Sequence, residues 1–510
     1  MTEVGAMQLL AIFLALFVGA KFTLGRVQES AAEQAAGCGH LPRYPQKDPL
    51  LGLDLILAQI KAVRTHRFLE WLEQLYWSAP NGAKTFSVSV MGSRQIYTID
   101  PTNIKALLSG QWSQFLIAPL RRTPAILPFA DQGISLADGK EWEEAQALSK
   151  SFFFRDNYAN TERLKPFTDT LLELLPKDGA TFDIYPLVQR WVFDVNTAVI
   201  FGEPAGCLAL KEQYPLMTAM SDIQRGVRIR LIFSKLLWAI PDKYMQWWFD
   251  AITTVHQYID KHIERTYREM EERKKAEQPG GPERTDLLWS MAQNLPDDAP
   301  ALRSNLALIF APNSDAVTAY ITNALWQLSR HPNAWARIRE EVLALGDAPL
   351  TFTALRNMKY LHAVLNESQR LMVTSLMHSR TATADTTLPT GGGPSGTQPI
   401  RIRAGDVVHA HRNALFKDKD FWGPDAEVFR PERWMEQGGQ ARKPFWSFIP
   451  FGGGPRRCPA EMLVVSQASY VMARMARKFA RVESRDAEPY VAVMRLTPVN
   501  KNGVRIALFE

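Results

Sequence analysis

Residues 448–479 read FIPFGGGPRRCPAEMLVVSQASYVMARMARKF. Three glycines, Gly452 to Gly454, stand shortly before Cys458. Glycine lets a backbone take φ > 0 and approach a flat ligand closely. Peptide N–H groups freed in such a turn can point at a thiolate, and Arg456 can lower a thiol pKa or meet a carboxylate. A helical period starts after Ala460, so Cys458 lies just before a helix N-terminus, where the dipole favours a negative sulfur. A buried, inert cysteine beside a turn is the plainer reading of a lone thiol. The length of the constellation argues against it.

Two charged pieces lie upstream. Glu367 and Arg370 in NESQRL are three apart and share one face of a helix. The run Phe429-Arg430-Pro431-Glu432-Arg433-Trp434 follows, with the cysteine within about 30 residues of it. Ion pairs at such spacing are also common on solvated surfaces, so the pair alone is a weak sign.

Together, Phe451-x-x-Gly454-x-Arg456-x-Cys458-x-Ala460 resembles the haem-ligand loop of the cytochromes P450, and the other two segments resemble that family's ExxR helix and PERF-like segment. The resemblance implies a mainly α fold with a small β region. It also implies haem b held through iron on the Cys458 thiolate, beside Phe451 and Gly454, with Arg380 and Arg456 as propionate partners. Glu367, Arg370 and Arg433 are then the buried structural triad. The activity implied is an NADPH- and dioxygen-dependent monooxygenase, coupled to NADPH–cytochrome P450 reductase and acting on a hydrophobic small molecule. The likeness covers nearly the whole chain. It is closest in look to fungal, microsomal alkane- and fatty-acid-hydroxylating members, through residues 43–52, 386–394 and the run ending at Trp434.

The chain departs from the family pattern in two places. Counting back from His331, Ala/Gly-Gly-x-Asp/Glu-Thr falls on Pro312-Asn313-Ser314-Asp315-Ala316. Asp315 keeps the acid, but Ala316 has no hydroxyl to help deliver protons. Ser314, Asn313 or a hydroxyl on the substrate are the conceivable replacements. Pro312 lacks an N–H and is expected to bend or loosen the helix. Where the family has Trp-x-x-x-Arg, this chain has Trp142 and Gln146, so one ionic haem contact is expected to be missing.

The remaining sequence is consistent with this frame. Helical periods mark 142–154, 182–201, 244–275 and 301–330, and β-like runs mark 85–97, 400–409 and 503–508. Residues 277–284 and 385–398 read as Gly- and Pro-rich loops. Cys38, Cys207 and Cys458 are scattered and odd in number, which excludes a disulfide framework. His331 and His378 read as caps or surface groups. A net charge of +6 over 510 residues suits an anionic membrane surface or a bland basic surface, and makes no case for nucleic acid.

Residues 9–20 (LLAIFLALFVGA) are unbroken by polar side chains, and the wider stretch 4–24 is just long enough to span a bilayer. A cleaved signal peptide is the rival, but Glu3 and the lack of basic residues ahead of the apolar run speak for a retained anchor. Lys21 and Arg26 follow it, which leaves the body on the cytosolic side. The expected organisation is an anchor over 1–26, a Pro-rich hinge over 27–52 and a haem-thiolate catalytic domain over 53–510. The protein is expected in the endoplasmic reticulum membrane with a single pass. The distal departures lean toward a specialised biosynthetic substrate, with plain fatty-acid or alkane hydroxylation kept open. Haem-dependent rearrangement, dehydration or ring expansion, and a haem-bearing binding protein without turnover, are the other readings.

Overall fold

A computed structural model describes residues 25, 27–150, 153, 155–210, 214–237, 242–275, 284–436 and 446–510. The apolar stretch 9–20 lies outside them, and so does most of the loop 277–284. No helix among the described residues is long and apolar enough to cross a membrane.

The fold is mainly helical with small sheets. The helices that matter for the site are α1 (Gly139–Lys150), α2 (Tyr185–Phe201), α3 (Pro215–Leu237), α4 (Gln246–Lys275), α5 (Ala299–Arg330), α6 (Pro332–Leu343), α7 (Lys359–Leu371) and α8 (Glu461–Lys478). α5 begins where the Asp298 carboxylate accepts the Ala301 N–H, with Pro300 in its first turn. Pro and Asp suit this position because the first helical N–H groups lack intrahelical partners. α2 ends at Gly202, whose φ of 82° stops the helix in the left-handed region.

Twelve short strands complete the architecture among the described residues. β1 (Thr85–Val90), β2 (Ser93–Thr98), β8 (Val407–His411), β5 (Met377–Ala382) and β3 (Phe115–Leu116) form one sheet in that order. β6 (Thr386–Gly392) pairs with β7 (Gln398–Ile402), and β10 (Ala492–Met494) with β11 (Pro498–Asn500). β4 (Phe182–Asp183) and β9 (Arg481–Ser484) flank β12 (Arg505–Phe509).

Two apolar clusters result. The larger lies among the helices, and the smaller lies under the five-stranded sheet. The cysteine loop joins them, for Ile449 and Trp446 belong to the sheet-side cluster whereas Phe451 and Ala460 pack on the helical one.

Two expectations change, and two gain detail. The segment 385–398 is largely strand, not loop, because its Thr and Leu positions pair antiparallel with residues 398–402 across a tight turn. Residues 182–183 are strand, and the helix starts only at Tyr185. In the hinge, residues 27–35 are helical, and the non-helical part after them is docked rather than free. Tyr44 donates its backbone N–H to Ser87 at 2.9 Å, and Gly39 donates to Pro399 at 2.9 Å. Finally, α5 runs through Pro312 without interruption, although that residue cannot donate to the Leu308 carbonyl.

Candidate active site

The cysteine loop is shaped by close approach. Gly454 has φ 68°, and a Cβ there would stand 1.9 Å from the Leu108 carbonyl oxygen. A Cβ on Gly453 would stand 2.2 Å from the Trp446 ring. Only glycine permits that packing. The Cys458 N–H donates to the Phe451 carbonyl at 2.9 Å, closing the loop. Arg457 clasps Glu461 at 2.6 Å in the first turn of α8.

Cys458 is open to a water-sized probe, yet burial is the largest influence on its thiol and pushes the pKa up. These observations agree if the sulfur faces an enclosed cleft rather than bulk water. The Ala460 N–H, Arg412 and Arg457 act in the opposite direction and favour the thiolate. Arg456 is not part of that set. Its guanidinium bonds Asp138 at 2.7 Å and the Ala137 carbonyl at 2.8 Å, so it meets a carboxylate instead of tuning the sulfur.

The other predicted residues of this end gather around it. Trp142 in α1 is buried with the Arg456 guanidinium 4.6 Å from its ring centre. Gln146, one turn on, reaches the Pro455 carbonyl only at 3.5 Å. Arg380 on β5 is buried, bonds the Ser379 carbonyl at 2.9 Å, and has its pKa lowered to about 9 by burial and by the nearby Arg121 and Arg456.

Three residues here escape the sequence reading. Arg121 is pushed down by burial and by Arg456. Arg412 donates to the Pro450 carbonyl at 2.6 Å and lies within electrostatic reach of Cys458. His378 is no surface group. Its Nε2 is buried without a partner, and burial together with Arg412, Arg380 and Arg121 holds it neutral. One signal was available, since His378 and Arg380 are two apart on one strand and share a face.

Arg121, Arg380, Arg456 and His378 thus converge with Asp138 as the acid acting on the three arginines. Such an excess of cation, with Arg380 buried and Arg456 half-buried, calls for anions. A soft sulfur ligand, a cationic group for carboxylates and an apolar wall form a donor set that fits haem.

That wall is α5. Along its buried middle the less-buried positions are Leu308, Ile309, Pro312, Asn313 and Ala316. They form one stripe at helical spacing. One turn beyond, the Tyr320 ring meets Phe451 of the cysteine loop at 6.2 Å, so the stripe runs toward the loop that carries the sulfur.

The distal candidates divide. Ala316 lies on the stripe. Ser314 is buried and bonds back to the Phe310 carbonyl at 3.3 Å, away from the stripe. Asn313 donates through Nδ2 to Asn196 Oδ1 of α2 at 3.0 Å. Asp315 flanks the stripe, buried, with Oδ2 lacking a partner, and burial raises its pKa against the lowering influence of Arg495 and Gln224.

Behind the loop, Glu367, Arg370 and Arg433 are brought together as expected. Arg370 donates twice to Glu367 at 2.9 Å, Arg433 once at 2.8 Å, the Arg430 N–H at 3.0 Å and the Trp434 indole at 2.9 Å. Burial alone would raise the Glu367 pKa. Arg370, Arg433 and the Arg430 N–H outweigh it and hold the carboxyl below its ordinary value.

Comparison with known proteins converges on the same centre. Residues 42–492 match the sequence profile of the family described as Cytochrome P450. The chain is 48% identical over 503 residues to the cytochrome P450 monooxygenase apdE of Emericella nidulans, covering 98% of this chain and 95% of the relative. It is 46% identical to the cytochrome P450 monooxygenase iccC of Talaromyces variabilis, covering 98% and 97%. It is also 46% identical to the cytochrome P450 monooxygenase iliC of a Neonectria species, covering 96% and 95%.

Proposed function

This chain belongs to the cytochrome P450 family, a haem-thiolate enzyme class, and from that premise we propose that it is a monooxygenase oxidising a hydrophobic small molecule in fungal secondary metabolism. The observation that carries the reading is an exposed Cys458 in a loop whose Phe451 meets Tyr320, one turn past the α5 stripe; we read the space between as the haem cleft. Haem b, when bound, supplies the activation of dioxygen. The protein supplies the rest.

Cys458 would hold the iron through its sulfur, with the Ala460 N–H, Arg412 and Arg457 favouring its anionic form. Arg121, Arg380, Arg456 and His378 would hold the propionates, and the Trp142 ring packs against the Arg456 guanidinium. In this reading Arg121 supplies the charge that Gln146 lacks. Leu308, Ile309 and Pro312 exclude water from the distal side. Asp315 is the proton reservoir there, because burial favours its protonated form.

The reading extends to partners and place. NADPH–cytochrome P450 reductase feeds electrons from the cytosolic side, and residues 1–26 anchor the chain by a single pass in the endoplasmic reticulum membrane. The apolar run 9–20 followed by Lys21 and Arg26 supports this. Fractionation of tagged full-length protein and a truncation from residue 27 test it. The anchor is wrong if both distribute alike.

A second reading draws on Ala316. With Ser314 turned to Phe310 and Asn313 tied to Asn196, no hydroxyl of this stretch faces the cleft, so the substrate's own hydroxyl completes the proton route, or the reaction is a rearrangement that needs none. Dependence of product on NADPH, reductase and dioxygen separates the two. The reduced, carbon-monoxide-treated protein must show the red-shifted Soret band of thiolate ligation; its absence overturns both.

A further inference from the structure

We propose that Arg228 and Arg495 form a clamp for an anionic group, in its simplest form a carboxylate, carried by an otherwise apolar substrate at the distal side of the cleft. The proposal rests on the reading of that cleft as the substrate site. It starts from two half-buried cations on different elements. Arg228 lies on α3, one turn beyond Gln224. Gln224 donates its Nε2 to the Ala311 carbonyl of α5 at 3.3 Å, so this part of α3 rests on the helix beside Pro312 and Asp315. Arg495 lies in the turn between β10 and β11, and its charge is felt by Asp315, Tyr185 and Arg228.

Among the described residues neither guanidinium has a hydrogen bond or an ion pair. Buried arginines of the fold do: Arg370, Arg433 and Arg412 each bond carboxylate or carbonyl oxygens. A partly desolvated guanidinium without a partner is costly, which favours a function over accident. Asp315 does not settle the account of charge. The one buried carboxyl there is inclined to hold its proton and feels Arg495, not Arg228. Three more groups stand ready in the same place, for Asp315 Oδ2, Gln224 Oε1 and the Tyr185 hydroxyl are buried without partners.

An anion between the two guanidiniums would take charge-assisted bonds from both, and the Tyr185 hydroxyl could donate a further one. Its apolar remainder would then run along Leu308, Pro312 and Ala316. A wholly uncharged substrate would leave both cations half-desolvated.

The experiment is calorimetric titration of the purified full-length holoenzyme with dodecanoate, dodecan-1-ol and acetate. The wild type should bind dodecanoate at least about tenfold more tightly than dodecan-1-ol, the low end for a hydrogen bond to a charged group. Acetate should not bind measurably. Arg228→Gln and Arg495→Gln should each erase most of the preference, while affinity for dodecan-1-ol holds and so reports an intact fold. Arg495→Lys should keep part of it. Equal binding of acid and alcohol by the wild type overturns the clamp, as does a preference that survives in the double glutamine variant. Acetate binding as tightly as dodecanoate overturns it too, as a simple ion site. Heat of binding does not depend on iron. A chain lacking the thiolate Soret band but preferring the acid would therefore refute the proposed function and not the clamp.

Discussion

Two buried carboxylates meet opposite fates in this molecule. Glu367 accepts five hydrogen bonds, from Arg370, Arg433, the Arg430 N–H and the Trp434 indole. Asp315, about as deeply buried, keeps one oxygen without a partner among the described residues and stands near the Arg495 guanidinium, which does not bond it. The difference separates two tasks. The region behind the sulfur is saturated, so it holds one geometry. The distal region leaves polar groups unsatisfied, so it can accept the groups of another molecule.

The comparison can be broken most severely at the sulfur. Replacing Cys458 with Ser should remove the red-shifted Soret band of the reduced carbon-monoxide form entirely, with reductase-dependent turnover lost alongside. A variant that keeps the band would mean that another residue carries the iron, and the saturated region would then support nothing.

Next in size is the network itself. Glu367→Gln keeps the volume but leaves Arg370 and Arg433 uncompensated in the interior, at a cost of about 3–5 kcal/mol. The urea midpoint should fall accordingly, with haem content falling as the loop loses its backing. The acid limb should change in the same direction. The Glu367 pKa is lowered on folding, so its stabilisation is present above the ordinary carboxyl value of 4.5 and is lost as pH falls through the lower folded value. If the glutamine variant matches the wild type, the five bonds are ornamental.

A smaller effect is expected on the distal side. In Ala316→Thr the new hydroxyl would bond the carbonyl four residues back, as Thr318 does to Ser314 at 2.7 Å and Thr322 to Thr318 at 2.8 Å in the same helix. With dodecane, which brings no hydroxyl, the wild type should lose most NADPH as hydrogen peroxide. The variant should lose less by about tenfold, below the roughly 10²–10⁴ that a well-placed proton donor contributes. A wild type already well coupled with dodecane would show that Asp315 suffices without a hydroxyl, and an unchanged loss in the variant would show that a hydroxyl at 316 does not govern the proton route.

The saturated region is also the part that could be read in advance. Glu367 and Arg370 are three apart on one helix, and the loop from Phe451 to Cys458 is a continuous run, so local spacing carried the geometry. Arg121, Arg412 and the depth of His378 were invisible because each depends on the chain returning from far away in sequence. The glycines of 391–393 misled for a physical reason. They read as loop punctuation, yet a Cβ on Gly391 would stand 2.8 Å from the Thr85 Cβ, and one on Gly39 2.4 Å from the Gly393 nitrogen. Glycine there serves close packing of a strand against the docked segment 33–41, which composition alone cannot distinguish from a turn. Pro312 sits inside a helix 32 residues long and buried over most of its length, which tolerates one missing donor.

The mildest test asks whether an unpaired polar group outside the cleft is a cost and nothing more. His411 on β8 is buried with neither ring nitrogen bonded, packed between the rings of Tyr76 at 5.4 Å and Tyr97 at 4.8 Å. Burial, reinforced by His409, holds its pKa well below the ordinary 6.5. As pH falls below 6.5 the unfolded chain therefore binds a proton that the fold refuses, and stability declines. His411→Phe removes both the orphaned nitrogens and this proton uptake while keeping an aromatic ring for the two tyrosines. The variant should be as stable as the wild type, or more stable by up to about 1–3 kcal/mol, the cost of an unsatisfied buried group. Its urea midpoint should also decline less steeply between about pH 6.5 and 5, though His378 and His409, likewise held neutral, keep the slope from vanishing. A phenylalanine variant that is less stable and equally steep would place a bonded, working imidazole at position 411. The saturated class would then extend from the ExxR network into the sheet.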